Sequence, residues 1–176
     1  MVGVNRMAIV ALAVASGCAT TPHQQPVRSA RPAAVSPPPR VRLGWLPFDA
    51  SSSSGLTTAV NDQLEHFKVD GVTESFRAPV SMEMAQLAIE CIEKTARCYA
   101  AVGQSIGADR LLWADLDRHG HGTLTLRVAL FDVGRGAIAH EAEQSYPSAK
   151  AAQADVESLV ARARSGDRQV IARKAP

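Results

Sequence analysis

The run from Thr123 to Val133 constrains this chain more than any other stretch. Leu124, Leu126, Val128 and Leu130 alternate there with Thr125, Arg127, Ala129 and Phe131. Side chains repeat every two residues on a strand, so the pattern predicts a strand with one buried face. Gly120 and Gly122 precede it, and Gly134 and Gly136 follow it. Glycines so placed mark tight turns. The neighbours Arg110–Asp117 and Ala137–Tyr146 also read as strands, so the three form an antiparallel meander.

Upstream the periodicity changes. Val41–Phe48 (VRLGWLPF) is strand-like, and Ser51–Ser54 offers several N-caps to a helix carrying Leu56, Val60, Leu64 and Phe67. Val69–Phe76 is a weaker strand, interrupted by Gly71. Ser81 caps a second helix whose Met82, Ala85, Ile89 and Ile92 share one face, and Thr95 caps a third through Cys98, Val102 and Ile106 to Gly107. A last helix runs from Ser148 to Arg164 with Ala152, Val156, Leu159, Val160 and Ala163 as its apolar stripe. The first two strands are joined through a helix and are expected to be parallel. The predicted fold is therefore α/β (an α+β sandwich): a mixed sheet of about five strands with helices packed on it. Trp45 and Trp113 are expected in its core.

That domain spans residues 41–165. Residues 1–18 read as an export signal: Arg6, the apolar run Met7–Ala15, then Ser16, Gly17 and Cys18. Small residues before a cysteine resemble the lipobox of bacterial lipoproteins, which implies cleavage, acylation of Cys18 and attachment to a membrane. Ala19, which is not Asp, points to the outer membrane with the domain on its periplasmic face. Residues 19–40 hold six prolines and no aromatic residue, and cannot bury enough apolar surface to order themselves. Their 22 residues would reach at most ~70 Å as an extended spacer. Residues 166–176 read as a flexible basic tail.

Charge narrows the function. Arg6, Arg28, Arg31 and Arg40 precede the first acidic residue, Asp49, and without them 15 Lys and Arg remain against 17 Asp and Glu. A slightly acidic domain does not suit nucleic acid. Cys91 and Cys98 would lie about 10 Å apart on one continuous helix, beyond the ~7 Å limit for a disulfide. Glu93-Lys94-Thr95 looks like a helix break that would bring them together. In an oxidising compartment such a pair forms a structural bridge, with two reduced, partly buried thiols as the alternative. The spacing fits neither a C-x-x-C redox motif nor a zinc site.

The Leu46-Pro47-Phe48 strand end, the Ser-rich helix start, the cysteine pair and the stretch Val102-Gly103-Gln104-Ser105-Ile106-Gly107-Ala108-Asp109 running into Leu111–Leu116 share one resemblance. Together they resemble the N-terminal domain of the translocation protein TolB and its lipoprotein relatives, in the cysteine-bearing, deltaproteobacterial version. The whole plan of anchor, Pro-rich spacer and small domain is similar to the outer-membrane lipoproteins that activate penicillin-binding peptidoglycan synthases. The resemblance implies protein–protein contact in the envelope, with a peptidoglycan synthase or a Tol–Pal-like component as partner. It brings no catalytic residues and no cofactor.

The residues themselves offer little reactive chemistry. His119-Gly120-His121 is the nearest thing to a metal motif, with Asp115, Asp117 and His140 as neighbours it could recruit, but its glycines favour a hairpin tip. Asp115 and Asp117 are expected to be solvated. Ser51–Ser54 lacks a nucleophile-elbow context, and Gly103-x-x-x-Gly107 reads as helix packing plus a C-cap. The leading expectation is a non-enzymatic, lipid-anchored adaptor or assembly factor of the envelope. Activation of a peptidoglycan synthase, or a metal- or small-ligand module at the His119–His121 tip, are the alternatives.

Overall fold

A computed structural model describes residues 40–91 and 93–166. The leader with Cys18, the spacer up to residue 39, Ile92 and the tail from residue 167 lie outside the described residues. Strands β1 (Arg42–Trp45), β2 (Glu74–Arg77), β3 (Arg110–Arg118), β4 (Leu124–Asp132) and β5 (Ala137–Tyr146) form one sheet in the order β2-β1-β3-β4-β5. β1 is parallel to β2 and to β3, whereas β3-β4-β5 is an antiparallel meander. Helices α1 (Ser54–Glu65), α2 (Met82–Ala88), α3 (Ala96–Ser105) and α4 (Ala149–Ser165) complete the domain. The fold is α/β with a mixed five-stranded sheet, as the residue pattern predicts.

The helices cover both sides of the sheet. Leu43, Trp45, Leu112, Leu126, Val128 and Leu130 pack against Leu56, Val60 and Leu64 of α1 and Val156, Leu159 and Val160 of α4. On the reverse side Leu46, Leu111, Trp113, Ala129 and Phe131 pack against Met82 and Ala85 of α2 and Tyr99 and Val102 of α3. The expectation of a single buried face on β4 is thereby corrected. Ala129 and Phe131 are fully buried too, because α3 lies over their half of the second face. On the polar half of that face Thr125 is buried and Arg127 half-buried.

Local chemistry explains the corners. The Asn61 side chain clamps the end of the Leu46-Pro47-Phe48 segment: Phe48 N–H donates to Oδ1 at 2.8 Å, and Nδ2 donates to Phe48 C=O at 2.9 Å. The N-cap of α1 is Ser53, whose hydroxyl makes no capping bond. The Gly107–Asp109 turn ties β1 to β3, since Arg42 N–H donates to Asp109 Oδ2 at 2.8 Å and Asp109 N–H donates to Arg42 C=O at 2.9 Å. Gly107 sits at φ +69°, where a side chain is strained, and follows α3 as the C-cap pattern predicts. A β carbon on Gly103 would meet Val133 Cγ2 at 2.4 Å, so this glycine is a packing residue.

Two elements differ from their sequence boundaries. The second strand is shorter and later than 69–76, because Val69 and Val72 turn inward to the first core instead of joining the ladder. α2 stops at Ala88; Ile89 is its C-cap and Glu90 takes a left-handed φ of 55°, so the predicted stripe does not continue past Ile89.

Candidate interaction surface

α2 is short and lies with one side on the second core. Ser81 Oγ accepts Met84 N–H at 3.5 Å, and Glu83 sits in the first turn, where the helix dipole favours an anion. Met82, Ala85 and Gln86 face inward. Met84 and Leu87, three residues apart and so on one side of the helix, face outward with 56% and 60% of their surface exposed. Val80, just before the cap, is exposed as well. These are the exposed large apolar side chains among the described residues, and all lie within eight positions of one another. Scattered exposed apolar residues are ordinary; three gathered on and beside one short helix make this the candidate contact surface.

The disulfide loop borders this patch. Cys91 and Cys98 are joined, with Cα atoms 5.6 Å apart, because the chain breaks between α2 and α3 instead of continuing as one helix. Thr95 Oγ1 caps α3 by accepting Cys98 N–H at 3.3 Å, and the buried Gln86 amide points at Cys98 Sγ. A cleft of about 580 Å³ runs along the loop, lined by Ile89, Glu90, Glu93, Arg97 and Ala101 beside the two cysteines. From Ala78 to Glu93 the chain carries Glu83, Glu90 and Glu93 and no Lys or Arg. Lys94, next in sequence, pairs with Asp117 at 3.8 Å.

The polar half of the second face holds most of the residues with reactive potential, and their bonds are mutual. Asp115 is buried rather than solvated, a correction: its Oδ2 accepts the indole N–H of Trp113 at 2.9 Å. Tyr99 stacks on Trp113 with ring centroids 4.6 Å apart. Burial, reinforced by the Asp115 carboxylate, pushes the Tyr99 phenol above its usual range. Burial pulls on Arg127 in the opposite sense, but Glu141 at 2.6 Å outweighs it and holds the guanidinium charged. Asp117 is exposed, as expected.

The hairpin tip forms a 3₁₀ turn over Gly120–Gly122. His119 Nε2 lies 3.0 Å from Thr125 Oγ1, which in turn meets Ser145 Oγ at 2.9 Å. His140 does not approach this tip. It pairs with Leu130, toward the far end of β4 from His119, and its ring packs against Gly166 at the end of α4. Among the described residues no three His, Cys, Asp or Glu side chains gather as a metal set. Ser52 is engaged by the Arg118 guanidinium. The inward stripe of α2 marks its buried side, whereas the i, i+3 pair Met84 and Leu87 shows as a surface only once that side is seated on the sheet.

No protein-family model matches this sequence, and no curated protein matches it either. Solved structures offer distant likenesses. The LpoB C-terminal domain from Salmonella enterica is similar over 60% of this chain and 82% of its own, at 13% identity and a TM-score of 0.37. TolB from Acinetobacter baumannii is similar over 74% of this chain but 29% of its own, at 17% identity and a TM-score of 0.39. Lipoprotein GNA1162 from Neisseria meningitidis is similar over 60% of this chain and 79% of its own, at 14% identity and a TM-score of 0.36. At such distances no residue's role passes from those proteins to this one.

Proposed function

We propose that this protein is a lipid-anchored adaptor or assembly factor of the bacterial envelope, working through protein–protein contact and not through catalysis. The observation that carries the reading is the concentration of exposed large apolar side chains, Val80, Met84 and Leu87, on and beside one short helix. The side chains with reactive potential are meanwhile spent on each other: Asp115 on Trp113, Arg127 on Glu141, Thr125 on Ser145. The leader ending at Cys18 and the Pro-rich residues 19–40 support a tether that holds the domain away from the outer membrane on its periplasmic side. The same plan of anchor, spacer and domain supports a narrower version, activation of a peptidoglycan synthase. A metal- or small-ligand role at the tip has less behind it, because His119 already engages Thr125.

The test is made in cells. Wild-type chain incorporates a clickable palmitate analogue, fractionates with the outer membrane and yields crosslinked complexes with another envelope protein, while Cys18→Ser loses the label. A chain that takes no label, or stays uncrosslinked in the envelope, contradicts the proposal.

A further inference from the structure

We infer that the Val80–Met84–Leu87 face of α2 docks a cationic, apolar-anchored segment of a partner protein. The inference rests on the adaptor reading above and adds which surface is used and what chemistry fits it. Three kinds of cover are open to an exposed apolar patch in the envelope besides a partner: a membrane, a second copy of this chain, or the chain's own terminal segments. Charge, side-chain size and position separate them.

Glu83, Glu90 and Glu93 are all exposed around the patch; among the described residues Arg97 lines the adjoining cleft and Lys94 lies 3.8 Å from Asp117. A surface built to lie on anionic lipid carries Lys and Arg around its apolar residues, the reverse of what stands here. A two-fold dimer through this face would set the glutamates of one copy against those of the other, which like-charge repulsion opposes. The chain's own residues 19–40 do carry Arg28, Arg31 and Arg40, but Val27 and Val35 are their only branched apolar side chains. Nothing among them is large enough to cover Met84 and Leu87. Residues 167–176 do combine Arg168, Arg173 and Lys174 with Val170 and Ile171, but they follow α4, which packs on the opposite side of the sheet from α2. A foreign segment presenting Lys or Arg together with large apolar side chains satisfies both the glutamates and the patch. Methionine suits such a surface, because its flexible thioether adapts to the shape of an incoming side chain.

The experiment places a photo-crosslinking amino acid at Leu87 in the full-length chain in cells, with the same probe at Glu157 on α4, on the opposite side of the sheet, as the control position. Crosslinked peptides are identified by mass spectrometry. The expected result is one partner segment joined at position 87 and not at 157, with more Lys and Arg than Asp and Glu. Its yield falls at least fivefold in Glu83→Lys/Glu90→Lys/Glu93→Lys. If that variant accumulates poorly, Glu83→Gln/Glu93→Gln replaces it and a drop of at least twofold is required. Crosslinks at 157 alone overturn this inference and leave the adaptor reading standing. Crosslinks at 87 to lipid, to residues 19–40 or 167–176 of the chain itself, or to a second copy overturn it as well, as does an acidic partner segment. An absence of crosslinks at both positions overturns the inference and the adaptor reading together.

Discussion

Asn61 is the side chain on which the corner after β1 depends, and its removal gives a prediction with a calculable size. Two hydrogen bonds, at 2.8 and 2.9 Å, join its amide to the N–H and C=O of Phe48, thirteen residues away. Asn61→Ala leaves both backbone groups without those partners. Each orphaned group costs about 1–3 kcal/mol when buried, and here the site is half-buried, so the lower end applies. The sum is about 2–4 kcal/mol, which for a domain of this size lowers Tm by roughly 6–15 °C. Asn61→Asp is the sharper probe. Its carboxylate still accepts from Phe48 N–H but faces the Phe48 carbonyl with no proton to give, so its folded-state pKa is raised above the unfolded value of about 3.9. Protonation restores the donor. The deficit of Asn61→Asp relative to wild type, each measured at the same pH, therefore narrows as pH falls through that raised value and is full above it. Urea unfolding followed by tryptophan fluorescence and circular dichroism measures both. A loss below 0.5 kcal/mol for Asn61→Ala, or a deficit for Asn61→Asp that is flat with pH, refutes the clamp.

Other consequences are independent of that corner. Gly103→Ala drives a methyl into Val133 Cγ2 and should destabilise by about 1–3 kcal/mol; Val133→Ala in the same chain should recover part of it, and a purely additive double variant would contradict the contact. Tyr146 donates its hydroxyl to Asp155 Oδ2 at 2.7 Å, and burial, with that bond second, raises its pKa well above the usual value. Its folded state thus holds a proton that the unfolded chain releases near pH 10, so the contribution to stability is whole below pH 10 and declines as pH rises beyond it. Tyr146→Phe should flatten that part of the alkaline unfolding profile, and an unchanged slope would count against the assignment. Cys91→Ser/Cys98→Ser opens a loop with a sequence separation of 7 and should cost about 2–3 kcal/mol by chain entropy; wild type should resist alkylation by iodoacetamide at both positions until reduced.

The meander was legible because alternation and turn glycines agree over Arg110–Tyr146, and the helices because their caps and stripes coincide, as at Ser81, Thr95 and Ser148. What escaped the residue pattern was long-range. Whether Ala129 and Phe131 face water depends on where α3 lies, which no local period records. Asp115 reads as a surface carboxylate until the indole of Trp113 turns over to meet it. Asn61 looks like one more polar residue on the outer side of α1, and its role depends on a loop thirteen positions earlier returning to it. The candidate surface was half-visible. Glu83, Glu90 and Glu93 stand plainly in the chain, whereas the outward direction of Met84 and Leu87 follows from which side of α2 meets the sheet. The Leu46-Pro47-Phe48 and Gly107-Ala108-Asp109 segments that carry the family resemblance fix the ends of strands.

Met82 and Met84 supply the most direct measurement. They sit two positions apart on α2, one 4% exposed and the other 56%. Hydroxyl-radical footprinting with mass spectrometry reads the sulfoxide yield of each, in the purified chain and in intact cells. Met84 should oxidise readily in the purified chain and be protected several-fold in cells, while Met82 stays low in both. Equal oxidation of Met84 in the two settings would mean that nothing covers α2 in the envelope, and the account of this face as a docking surface would fall.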